Sequence, residues 1–130
     1  MGFRFGSAAN VTAFQVPPAN SAEFVLCTFA PVCLPVDSCA VFFSWSASIT
    51  VGASITALVF RIRRGVDTTG AVIGAAPWTN AAVAGKIVLL MGCYFDVFFA
   101  AHSPYVLTMS QTGATAASTI LAVSVAAYVL

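Results

Sequence analysis

From Cys39 to Thr50 the chain alternates: Cys39, Val41, Phe43, Trp45, Ala47 and Ile49 fall on one side, and Ser44, Ser46, Ser48 and Thr50 on the other. A period of two marks a β-strand with one buried and one wet face. On a helix the same hydroxyls would be scattered around the circumference. If this period governs the whole sequence, the fold is built of strands, and the surplus apolar surface must be covered by protein.

That surplus is large. Of 130 residues, 60% are hydrophobic and 7% charged, against roughly 25% charged in an average soluble domain; the mean hydropathy is +0.97. Residues 38–60 and 97–130 carry no formal charge, each longer than the roughly 18 residues a spanning helix needs. Three features oppose a membrane helix. The hydroxyls from Ser44 to Thr56 recur at spacing two, Val, Ile, Thr and Phe outweigh Leu in the apolar runs, and Asp96, Pro104 and Gly113 interrupt the longest stretches. A membrane barrel is disfavoured because the strands lack a polar lumen face and aromatic girdles. A lone monomer with so few charges would associate, so the expected partners are copies of the same chain.

Turn residues divide the sequence into eight strand-like segments: 10–16, 22–30, 39–51, 54–64, 71–75, 86–99, 105–112 and 118–130. Pro17-Pro18, Pro31 and Pro35 cannot continue a ladder, and Asp67-Thr68-Thr69-Gly70 reads as a hairpin loop. Eight strands at roughly ten-residue spacing indicate an all-β fold, an eight-stranded antiparallel jelly-roll sandwich. The expected organisation is a single domain over 1–130, with 1–9 a short N-terminal arm and no secretory signal. Residues 86–99 are apolar on both faces, as in a strand covered on both sides.

Nothing resembles catalytic machinery. His102 stands without an adjacent acid, no spacing brings Asp37 to Asp96, and no nucleophile elbow, P-loop or dinucleotide fingerprint occurs. The expectation is a protein that is not an enzyme and uses no cofactor or metal. Cys27, Cys33, Cys39 and Cys93 lack zinc-site spacing; free, buried thiols are favoured over a disulfide among the first three. Five basic residues against four acidic ones, with no polybasic tail, make any nucleic-acid contact weak or indirect.

Arg61, Arg63 and Arg64 concentrate three of the five positive charges in four positions. They suit a solvated strand end, a phosphate contact, or ion pairs with Glu23, Asp67 or Asp96 of a neighbouring copy. Trp78, Phe98 and Phe99 lie near loops, where an aromatic ring anchors an interface. In 118–130 an unbroken period of two puts Leu121, Val123 and Val125 inward and Ile120 and Tyr128 outward, making the last two candidate intersubunit contacts.

The segments SITALVFRIRRG (54–65) and SPYVLTMSQTG (103–113), with the final apolar strand, resemble the closing half of viral single-jelly-roll coat proteins. More generally they are similar to tumour-necrosis-factor-like trimeric jelly rolls. The resemblance implies a structural subunit of a viral or virus-like shell, made in a host cytoplasm and located in the virion with copies of itself and other virion proteins. It departs from coat proteins that carry a basic arm, since Arg4 is the only charge in 1–9. Two alternatives remain: a trimeric jelly-roll spike or capsid-decoration module, and a small membrane protein.

Overall fold

The computed structural model describes the backbone of residues 4–16, 23–29, 39–52, 55–78, 87–98, 104–113 and 118–129. Side chains are described for 23–29, 40–52, 55–78, 87–97, 104–113 and 118–126. The described residues form eight strands and no helix: β1 (Arg4–Val16), β2 (Glu23–Phe29), β3 (Cys39–Thr50), β4 (Ala57–Arg64), β5 (Val72–Trp78), β6 (Ile87–Phe98), β7 (Tyr105–Thr112) and β8 (Ser118–Val129). No helix among them is long and apolar enough to cross a membrane.

Two four-stranded sheets pack face to face, in the orders β1-β8-β3-β6 and β2-β7-β4-β5, with every pairing antiparallel. Only β4 and β5 are neighbours both in sequence and in a sheet. Every other connection crosses between sheets, which is the jelly roll. The β4–β5 hairpin turns where expected. Gly65 adopts φ 111°, a left-handed conformation that suits glycine, and Asp67 Oδ1 accepts from the Thr69 backbone N–H at 2.8 Å, an Asx-turn.

The period of two in β3 is realised in full over its described side chains. Val41, Phe43, Trp45, Ala47 and Ile49 are buried, while the intervening Phe42, Ser44, Ser46, Ser48 and Thr50 are half-buried. From the opposite sheet Leu58, Phe60 and Ile62 of β4 and Leu107 and Met109 of β7 meet them. The Trp45 and Phe60 rings stack at 5.0 Å, and Phe43 meets Tyr105 edge-on at 4.6 Å. Each such side chain, fully withdrawn from water, contributes about 1.5–3 kcal/mol.

Both ends of the sandwich are closed by polar bonds between the sheets. At one end Tyr105 Oη and Arg64 both donate to Asp96. At the other, Ser118 Oγ donates to Gln111 Oε1 at 2.9 Å and accepts from the Gly52 N–H at 3.1 Å. Buried polar groups satisfied in this way fix the relative placement of β8, β7 and the turn after β3.

Three expectations are corrected. β1 begins at Arg4 and pairs with β8 from there, so most of the supposed arm is strand. β5 runs to Trp78, accommodating Pro77 because β5 is a sheet edge. In β8 the period of two breaks: Ser48 lies opposite Ala122 but Ile49 lies opposite Ile120, so Leu121 is an extra, bulged residue. The bulge turns Ile120 into the chain's own core at 0% exposure and Leu121 outward. Ile120 is therefore not an intersubunit contact. The side chain of Tyr128 lies outside the described residues.

Candidate interaction surface

β4 carries alternate residues to opposite faces, which separates the three arginines. Arg61 and Arg63 lie on the outer face of their sheet, beside Glu23 of β2 and Thr108 of β7. Arg63 grips Glu23 with two prongs, Nε to Oε2 at 2.6 Å and Nη2 to Oε1 at 2.8 Å, and its Nη1 donates to the Gly70 carbonyl at 2.7 Å. Arg61 Nη1 donates to Glu23 Oε1 at 3.3 Å and Ser110 Oγ at 2.9 Å; Thr108 Oγ1 donates to Glu23 Oε2 at 2.7 Å. The Arg63 hydrogen bond, working against burial and helped by Thr108 and Arg61, holds the Glu23 carboxyl below its ordinary range. The same bond raises the Arg63 guanidinium.

Arg64, on the other face, reaches across to β6. Its Nε and Nη2 donate to the two Asp96 carboxylate oxygens at 2.8 and 2.6 Å, and Nη2 donates to the Val97 carbonyl at 3.0 Å. Burial pushes the Asp96 carboxyl up, but the Arg64 and Tyr105 hydrogen bonds outweigh it and leave it lowered. Burial, with the bond to Asp96, pushes the Tyr105 hydroxyl up. Glu23 and Asp96 are thus the partners foreseen for these arginines, but they belong to the same chain. Arg61, Arg63 and Arg64 make ion pairs within the subunit.

The surface that sequence reading missed is the outer face of β6. This strand is the edge of its sheet. Its inward residues Val88, Leu90, Tyr94 and Asp96 are buried or half-buried, and Gly92 leaves room for the Trp45 indole opposite. A Cβ on Gly92 would lie 2.7 Å from Trp45 Nε1. Its outward residues are Ile87, Leu89, Met91, Cys93, Phe95 and Val97, all exposed. The five apolar ones are 48–69% exposed, with Met91 the most open. Both faces are apolar as expected, but within the chain only one is covered. Beside the row run the β3 residues Ser44, Ser46 and Ser48, paired with Cys93, Met91 and Leu89.

Between these strands and β8 lies a shallow depression lined by Ser44, Trp45, Ser46, Met91, Ser124 and Ala126. Those lining residues include no acid or base to activate a serine. Among the described residues no group of three or more His, Cys, Asp and Glu could hold a metal ion. Cys27 is a free, buried thiol that burial pushes up to about 11, and Cys93 is free and exposed. Trp78 is half-buried against the core, opposite Leu58. Phe99, His102, Asp37 and the side chain of Phe98 lie outside the described residues.

No family model and no curated protein matches the sequence. Among solved structures the fold is similar to an infectious bursal disease virus chain of the Gx strain, with TM-score 0.55 and 14% identity over 93% of this chain and 32% of that one. It is similar too to the VP2 subviral particle of infectious bursal disease virus, with TM-score 0.54 and 10% identity over 93% and 32%. The tumour-necrosis-factor protein Eiger of S. frugiperda aligns at TM-score 0.47 and 9% identity over 95% and 92%. At these identities the likeness is one of fold. The chain spans about a third of the length of the two virus chains.

Proposed function

We propose that this chain is a structural subunit that self-assembles into a viral or virus-like shell. The observation that carries the reading is the outward row of β6: five large apolar side chains, 48–69% exposed, on one edge strand. Such a row on a chain with 7% charged residues is a surface made to be covered. Symmetric repetition in a closed shell covers the same patch on every copy. The fold-level likeness to virus-particle proteins supports the same reading.

In this role the chain binds rather than catalyses, and its place is the virion. Its charge pattern is not that of a genome binder. Three of the five basic residues are engaged by Glu23 and Asp96, so little positive charge remains to neutralise phosphates. Electron microscopy of the purified protein, with light scattering on a sizing column, tests the proposal. Closed particles of uniform size are expected. Discrete trimers at every salt concentration would replace the shell with the spike or decoration module, and a stable monomer would overturn self-assembly altogether.

A further inference from the structure

We infer that β6 is a two-fold contact, pairing edge to edge with β6 of a second copy about an axis near Gly92. The inference deepens the self-assembly reading and takes its partner, another copy of the chain, from it.

The argument begins with what an isologous contact demands. The same patch must be complementary to itself, and a charged patch is not, because identical charges meet at the axis. The outward row, Ile87, Leu89, Met91, Cys93, Phe95 and Val97, contains no charge and no proline. The one charge on the strand, Asp96, points inward and is held by Arg64 and Tyr105. None of the usual devices that blunt an edge strand, such as an outward lysine, a proline or a bulge, interrupts Ile87–Phe98.

Symmetry then sets the register. A two-fold axis standing perpendicular to an antiparallel pair keeps inward faces inward, so outward residues of one copy meet outward residues of the other. With the axis at Gly92, Ile87 is set towards the partner's Val97, Leu89 towards the partner's Phe95, and Met91 towards the partner's Cys93. Every member of the row is used once. Moving the axis by one residue in either direction leaves an end of the row without a counterpart.

The edge position matters because, among the described residues, no further strand of the chain's own sheet stands beyond β6, which leaves its outer backbone groups open to a strand of a second copy.

Cys93 lies beside the axis and is a free, exposed thiol, which makes the native chain its own probe. The wild-type protein is treated with a short bismaleimide, and the cross-linked peptides are identified by mass spectrometry. The expected product is a dimer joined Cys93 to Cys93, absent from Cys93→Ser. Leu89→Lys, a change at an exposed position, should reduce that dimer at least tenfold while the circular dichroism of the folded subunit stays unchanged. Normal cross-linking and assembly in Leu89→Lys would overturn the inference, as would linkage of Cys93 to any other surface. Shells that form without the Cys93 dimer would sink this contact and leave the shell standing. Cys93-linked dimers that never progress to larger species would do the reverse.

Discussion

Arg64 on β4 and Asp96 on β6 join the two sheets through a two-pronged ion pair, 2.8 and 2.6 Å, and the same carboxylate accepts from Tyr105 at 2.8 Å. The Arg64 side chain is 45% exposed and Asp96 8%. The two partners therefore respond differently to loss of the pair.

Removing the guanidinium strands a buried carboxylate. Because Arg64 is itself half in water, its attraction is screened, and most of the loss lies in Asp96, a buried charge then left with neutral donors alone. Arg64→Ala is expected to destabilise the subunit by about 2–4 kcal/mol. Asp96→Asn in the Arg64→Ala background should recover part of it, by removing the unpaired charge. Urea denaturation of the single and double variants reads both effects, and a double variant as unstable as the sum of the two would refute the account.

Acid should loosen the subunit in a definite window. Glu23 and Asp96 both have lowered carboxyl pKa values in the fold, so each contributes stability that is present above the ordinary carboxylate value of about 4. That contribution is lost as pH falls through the folded-state values. Tyr105 is raised, so its contribution is present below the ordinary tyrosine value of about 10 and declines as pH rises beyond it. Unfolding midpoints measured from pH 2 to 11 should form a plateau falling at both ends. Glu23→Gln should flatten the acid limb, and Tyr105→Phe the alkaline one.

Close packing between the sheets is tested at Gly74. A Cβ there would run into the Tyr94 ring, a contact between β5 and β6 that cannot form without displacement. Gly74→Ala should destabilise by about 1–3 kcal/mol through overpacking. Tyr94→Ala should relieve that penalty when combined with it. Thermal unfolding of the four proteins in the cycle gives the coupling directly.

The two described thiols should differ sharply in reactivity. Cys93 is exposed, whereas Cys27 is buried and its thiol is pushed up to about 11, and only the thiolate reacts. Brief alkylation of the native, unassembled chain should label Cys93 and leave Cys27 unmodified until denaturant is added. In assembled particles Cys93 should be protected as well. Peptide mapping after a timed pulse distinguishes these states.

Much of the fold was legible because β3 and β4 alternate without interruption, and their buried and half-buried residues are those the period of two assigns. The strand count followed from turn chemistry at Pro17-Pro18, Asp67-Gly70 and Gly113. Two things were hidden for physical reasons. A bulge adds one residue without any compositional mark, so Leu121 looked inward and Ile120 outward when the reverse holds. Strand order is non-local: Glu23 lies 40 positions from Arg63, and only the order β2-β7-β4 places them together. Alternation in β6 revealed two apolar faces but not that β6 stands at an edge, and its edge position makes the outward row a surface.

Sedimentation velocity of the purified wild-type chain across a hundredfold range of concentration tests self-assembly most directly. A dominant fast boundary of uniform particles, with a minor slow species that grows on dilution, is the result expected of a subunit that buries the β6 row against its own kind. A single monomer boundary, unchanged across the whole range, would contradict it.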